Sequence, residues 1–210
     1  MTLTTGELAT GALTTGVLAD GLARIAAHME TVAEALNALD GKLGDGDLGV
    51  TMQRGGRELV KVLPTLSEDV GMALLACAQA VTRVSGSSYG TLLATGLMTA
   101  AKATRGRTEV PWSELSDLLR GALAAMMLRG KASLGDKTVL DVLDATAGAV
   151  DGVAAAEMLA AATGTVEATM TRMRDQQARV GRARIFAERS VGLDDPGMLA
   201  FREMLRGLSG

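Results

Sequence analysis

An all-α domain is the fold that this 210-residue sequence predicts, on three observations. Alanine, leucine, methionine and arginine dominate while aromatic residues make up 2% of the chain, so summed propensity favours helix over strand. Leu18, Leu22, Ile25, Met29, Val32, Leu36 and Leu39 recur at alternating steps of four and three, the period of one buried helix face. The connections between periodic segments are mostly short, and short links join antiparallel neighbours. The expected architecture is an up-and-down bundle whose ligand sites form where loops gather at one end.

The elements follow in order. Residues 1–16 read as a polar lead-in with at most a short helix; the near repeat Leu3-Thr-Thr-Gly6 and Leu13-Thr-Thr-Gly16 is too short and isolated for a repeat architecture. Residues 17–210 read as a single domain with no interior linker. After the first apolar stripe, helices are expected over 49–63, 69–84, 90–104, 112–129, 137–149, 153–163, 165–180 and 195–208. Pro64 closes the second helix, Pro111 precedes a start at Trp112 and Ser113, and Pro196 lies just inside the last helix.

Composition narrows the function classes. A net charge of −3 and four aromatic residues give neither the basic field nor the stacking surface that nucleic acid requires. Cys77 is the one cysteine, in the apolar run Met72-Ala-Leu-Leu-Ala-Cys-Ala, and reads as a buried thiol. The sequence has neither an apolar run near membrane-spanning length nor the pattern of a secretory signal, so the cytoplasm is the expected compartment. Arginines 172, 174, 179, 182, 184 and 189 form a basic cluster, suited to a phosphate, to an acidic partner, or to a solvated helix face.

The most informative stretch is Leu39-Asp-Gly-Lys-Leu-Gly-Asp-Gly-Asp-Leu-Gly49, which sets Asp40, Asp45 and Asp47 among four glycines at the end of the apolar stripe. Three clustered carboxylates repel one another unless a divalent ion neutralises them, and oxygen ligands suit magnesium, manganese or calcium. A solvated turn is the alternative. An EF-hand is excluded, because Val50 and Gly56 stand where that loop needs glycine and glutamate. Three further segments, 85–90, 129–138 and 192–197, place glycine or serine beside expected helix starts, where backbone amides favour an anion. The sequence lacks a Walker motif. His28 is the only histidine and is expected on a partly solvated helix flank, so a serine triad, a histidine-ligated zinc and a phosphohistidine relay are all poorly supported. Carboxylates, backbone amides and basic side chains remain, an inventory suited to a metal-nucleotide and to phosphoryl transfer.

Together these motifs resemble the L-type, nucleotide-binding subunit or domain of dihydroxyacetone kinases. The resemblance runs from about Leu18 to the C-terminus and rests on LDGKLGDGDLGVTM at 39–52, GSSYGTLL at 86–93, RGKASLGDKTVLDV at 129–142 and GRARIFAERSVGLDDPG at 181–197. It implies an all-α barrel of eight antiparallel helices with a nucleotide, ADP or ATP, at one rim and magnesium, two ions by this expectation, held by Asp40, Asp45 and Asp47. By the same resemblance Leu48, Gly49 and Thr51 lie against the phosphates, with Ser88 and Tyr89 at the second loop. Gly130 and Val139 line the adenine end, and Gly135, Asp136, Lys137 and Thr138 shape the loop between them. Arg182 contacts phosphate, and Asp195, Pro196 and Gly197 close the site.

The implied partner is a K-type subunit that holds the acceptor sugar, with ATP or a phosphohistidine protein of the phosphotransferase system as ultimate donor. Self-association stays open. The chain departs from the family at Leu48, where histidine is usual, at Thr51, where asparagine is common, and in the second loop. Three readings therefore stand: a kinase subunit for dihydroxyacetone or a related short keto-sugar, a non-catalytic nucleotide-binding module, and a kinase for another acceptor.

Overall fold

The computed structural model describes residues 11–84 and 86–209. Among them eight α-helices follow one another: α1 (Thr15–Leu43), α2 (Leu48–Val62), α3 (Val70–Val84), α4 (Ser88–Thr104), α5 (Leu115–Gly130), α6 (Val139–Ala149), α7 (Ala155–Met173) and α8 (Pro196–Ser209). Each packs on its chain neighbours, and α8 returns to pack on α1, so the bundle closes into a ring. This is the all-α, up-and-down barrel that the sequence predicts.

Closure fixes which loops meet. Helices α1, α3, α5 and α7 run toward one rim and α2, α4, α6 and α8 start from it, so segments 44–47, 86–87, 131–138 and 174–195 share that rim. Segments 63–69, 105–114 and 150–154 share the far rim. The four returning helices thus direct their N-termini, with the positive ends of their dipoles, to the near rim.

Methionine and aliphatic side chains fill the barrel. One cluster joins Leu123, Met126, Leu140, Met158, Val166, Met170, Met198 and Leu205 from α5 to α8, and another joins Met29, Leu36, Leu48, Met52 and Ala200 across α1, α2 and α8. Each such burial contributes roughly 1.5–3 kcal/mol. Cys77 is fully buried in a third cluster, and desolvation pushes its thiol up to about 11, as expected of a core cysteine.

Several elements differ from the sequence expectation. The helices expected at 153–163 and 165–180 are one helix, α7, which stops at Met173. Gly164 between them faces open space, and Met158, Ala162, Val166, Met170 and Met173 carry one buried stripe across it. An exposed helical glycine costs about 1 kcal/mol relative to alanine, less than that stripe contributes. Residues 182–190 instead form a 3-10 segment kinked at Phe186. Helix α5 begins at Leu115, after a 3-10 turn over Trp112–Glu114.

Two three-residue strands, β1 (Ala12–Thr14) and β2 (Glu109–Pro111), pair antiparallel at the far rim; pieces this short have no readable period. Residues 1–10 of the expected lead-in, and Ser85 of the second loop, lie outside the described residues. No helix among the described residues is long and apolar enough to cross a membrane.

Candidate active site at the glycine-rich rim

The acidic loop is folded by its own first aspartate. Asp40 lies in the last turn of α1, and its Oδ2 accepts hydrogen bonds from the amides of Gly46 at 2.9 Å and Asp47 at 3.1 Å. Gly46 takes φ +77°, a left-handed conformation that a side chain would strain. Asp40, Asp45 and Asp47 each present an oxygen within 4.8 Å of the others, and Asp45 and Asp47 are exposed.

Asp47 occupies the N-cap position of α2 but makes no capping hydrogen bond. Asn37 takes that task from across the turn: its Oδ1 accepts from the amides of Gly49 at 2.8 Å and Val50 at 3.2 Å. The Asp47 carboxylate is thereby released from capping its own helix. Three oxygen donors in this arrangement fit a hard divalent cation such as magnesium.

Gly49 has a packing role. A Cβ there would lie 2.0 Å from the carbonyl oxygen of Ala33, so only glycine lets α2 start this close to α1. Its amide is engaged by Asn37, a partner that sequence reasoning missed because a helical asparagine between Leu36 and Leu39 carries no motif. Leu48 is 6% exposed and packs among Met29, Leu36 and Met52, so its side chain points into the core. Thr51 is half-buried in the first turn of α2, its amide bonded to the Asp47 carbonyl at 2.9 Å.

The second loop starts α4. The Ser87 Oγ accepts from the Gly90 amide at 3.1 Å, and Ser88 is exposed beside it. Tyr89 turns inward: its ring packs between two core clusters and its hydroxyl lies 3.8 Å from the Met204 sulfur. Burial, then the charge of Asp195, pushes the Tyr89 hydroxyl above its ordinary range.

In the third loop Gly130 is the exposed last residue of α5, while the Val139 side chain is core, 5% exposed. Thr138 and Asp141 form a reciprocal capping box at the start of α6. A cavity of about 260 Å³ opens beside this loop, lined by Leu134, Gly135, Asp141, Asp144, Ala145, Arg172, Met173 and Gln176.

The fourth segment, 174–195, reaches the first and the third. Arg182 contacts the Asp45 carboxylate, so the structure brings this arginine to the acidic loop. Leu43, Ala178, Ala183, Phe186 and Leu193 form a small core beneath the segment. Arg174 makes two hydrogen bonds to Asp194, and Arg189 lies 5.1 Å from the Phe186 ring, so the basic cluster is largely engaged in local contacts.

Pro196 begins α8, and Gly197 lies against Tyr89, where an added Cβ would come within 3.4 Å of the ring. Asp195 caps the helix by accepting from the Met198 amide at 2.9 Å. Burial pushes Asp195 up to about 7 against these hydrogen bonds and the charge of Lys137. Lys137 is 1% exposed, and burial holds its ammonium below the usual range against the charges of Asp195, Asp194 and Asp175.

Away from the rim, His28 is partly exposed as expected, and its Nε2 meets the buried Glu203 at 2.9 Å across α1 and α8. Burial works to raise Glu203, but hydrogen bonds from His28 and Arg202 outweigh it and leave the carboxyl below its usual range. A pairing between residues this distant in sequence leaves no local signal.

Comparison with known proteins bears on the family and the fold. The family model described as the DAK2 domain matches residues 42–210. The chain is 31% identical over 194 residues to the ADP-binding subunit DhaL of the PEP-dependent dihydroxyacetone kinase of Escherichia coli, covering 90% of this chain and 92% of that protein. It is 31% identical over 195 residues to the triokinase/FMN cyclase of Homo sapiens, covering 89% of this chain and 33% of that protein. The native crystal structure of the dihydroxyacetone kinase of C. freundii superposes with a TM-score of 0.73 at 26% identity, over 92% of this chain and 34% of that one. The chain thus spans about a third of these two larger proteins and nearly all of the bacterial subunit. The same kinase in complex with AMP-PNP and Mg2+, 24% identical, shares the fold with a TM-score of 0.72.

Proposed function

The chain belongs to the DAK2 domain family, the L-type subunits and domains of dihydroxyacetone kinases, and from that premise we propose that residues 17–210 form a kinase subunit binding Mg-ADP or Mg-ATP at the near rim. It transfers a phosphoryl group to dihydroxyacetone or a related short keto-sugar held by a K-type partner. The observation that carries this reading is the convergence of Asp40, Asp45 and Asp47 with Arg182 at the rim where four helices start. The E. coli relative is described as an ADP-binding subunit, in keeping with such a site.

In this mechanism Asp40, Asp45 and Asp47 hold magnesium, two ions by the family expectation. When bound, magnesium neutralises the polyphosphate and spreads the charge that develops on the transferred group. Asp40 supports the site twice, since one oxygen also folds the loop through Gly46 and Asp47. Arg182, held beside Asp45, supplies a positive charge that meets phosphate when the metal takes the carboxylate. Leu48, Gly49, Thr51, Ser88 and Tyr89 shape the phosphate side at the starts of α2 and α4, with Leu48 and Tyr89 acting through backbone and packing. Gly130 and Val139 border the adenine end, and Asp195, Pro196 and Gly197 form the opposite wall.

A second reading, a nucleotide-binding module without turnover, is favoured by Leu48, whose buried side chain leaves no group at the family's histidine position to meet phosphate. The purified chain mixed with a K-type subunit, ATP, magnesium and dihydroxyacetone separates the two. The kinase reading predicts triose phosphate that depends on both subunits. Nucleotide binding without product would establish the second reading, and product only with another sugar would move the acceptor.

A further inference from the structure

Lys137 is placed unlike any other cation among the described residues. Its Nζ donates three hydrogen bonds to main-chain carbonyl oxygens, those of Arg174 at 2.8 Å, Gln176 at 2.8 Å and Ser190 at 2.7 Å. An ammonium has three donors, so all are spent on the backbone. Arg174 and Gln176 lie where the chain leaves α7, and Ser190 lies at the end of the 3-10 segment. One buried side chain thus ties both ends of the fourth rim segment.

Further bonds close the same loop. The Gly192 amide donates to the Arg174 carbonyl at 2.9 Å, the Arg179 amide to the Asp136 carbonyl at 3.1 Å, and the Ala178 amide to the Ser190 Oγ at 2.8 Å. Lys137 also holds a left-handed backbone, φ 62°, which is disfavoured for a residue with a side chain. Strain of this kind persists where surrounding contacts over-determine it, and here the three ammonium bonds do so. Without the ammonium, three carbonyls that converge on one point would lose the donor they share, with Arg174 keeping only the Gly192 amide and Ser190 only the Leu193 amide, and the loop ends would part.

Between the tied ends lies Arg182, whose guanidinium reaches Asp45. We infer that Lys137 is a positioning residue: it clasps the 174–190 segment to the third loop and thereby holds Arg182 at the three aspartates. This rests on the nucleotide-site reading above for its consequence, but the clasp itself does not. A lysine suits the task because only a point charge with three rotatable donors satisfies three carbonyls from one position.

The test compares wild type, Lys137→Met and Lys137→Gln by limited trypsin digestion and by calorimetric titration with Mg-ADP, each also with Arg182→Ala. Arg174, Arg179, Arg182, Arg184 and Arg189 give trypsin its sites within the segment. Lys137→Met is expected to speed cleavage in 174–190 at least tenfold while circular dichroism stays that of the intact barrel, and to weaken Mg-ADP binding about tenfold. Combined with Arg182→Ala it is expected to add less than twofold, because both changes remove one contribution; a general loss of packing would instead add in full.

Wild-type resistance to trypsin in Lys137→Met, or full additivity with Arg182→Ala, overturns the inference. So does failure of both Lys137 variants to fold, which would make this lysine part of the barrel core. Failure of the wild type to bind Mg-ADP strikes the nucleotide reading and with it the role of Arg182, whereas the digestion still decides whether Lys137 holds the loop.

Discussion

At the far rim of the barrel Asp69 spends both carboxylate oxygens on backbone amides, accepting from Met72 at 3.0 Å and Gly106 at 2.8 Å. Arg107 and Glu114 pair through two hydrogen bonds of 2.7 and 2.8 Å, and the Thr15 hydroxyl donates to the Ser67 carbonyl at 2.8 Å. The near rim has similar loops and helix ends but settles its charges differently. Three carboxylates crowd within 4.8 Å, an aspartate is pushed up to about 7, and a lysine is buried on carbonyls alone. Both non-glycine residues with left-handed φ among the described residues, Lys131 and Lys137, are also there. One rim satisfies its polar groups internally; the other keeps like charge and backbone strain together, which a fold retains where a ligand supplies the missing charge.

The sharpest way to break this contrast is to remove the aspartate that serves both loop and ligand. Asp40→Ala is expected to weaken Mg-ADP binding by roughly 100-fold or more, since it removes one oxygen donor and frees the Gly46 and Asp47 amides. Calorimetry checks this, and binding within threefold of wild type would erase the difference between the rims.

Next comes a matched pair of glycines, one at each end. A Cβ at Gly49 would lie 2.0 Å from the Ala33 carbonyl oxygen, and one at Gly71 would lie 2.5 Å from the Arg105 Cα. Gly49→Ala and Gly71→Ala are each expected to cost about 1–3 kcal/mol in urea unfolding by overpacking. Only Gly49→Ala should weaken nucleotide binding, because it shifts the start of α2 and Asp47 with it.

The smallest expected effect is a pH dependence at Asp195. Burial raises its folded pKa to about 7, so the folded state binds this proton more tightly than the unfolded chain does. Its contribution to stability is present below the ordinary aspartate range and lost as pH rises toward and through about 7. Asp195→Asn keeps an acceptor for the Met198 amide and removes the buried charge. At pH 8 it should melt about 2–4 °C higher than wild type, the shift of ~1 kcal/mol in a domain of this size. Near pH 4 the two should coincide.

What the sequence could carry depended on distance along the chain. The apolar stripe and the three aspartates were legible because each lies within one continuous segment, whereas their place at a shared rim came from the family resemblance, since separate helices over 153–163 and 165–180 would have reversed the last one. Asn37, Lys137 and the pairing of His28 with Glu203 were not, since each works through a partner brought close only by closure of the ring. Gly49 shows a subtler failure: it sits in a phosphate-loop pattern, yet contact with Ala33 already requires a glycine there. Gly164 misled in the other direction, because an exposed glycine inside a strongly buried stripe does not end a helix.

The central claim is that the crowded carboxylates are a cation site for a nucleotide. Calorimetric titration of the purified chain with ADP, with and without magnesium, tests it most directly. Binding that requires magnesium and is lost in Asp45→Ala is the predicted result. Absence of binding at millimolar ADP, or equal binding without magnesium or without Asp45, would contradict it.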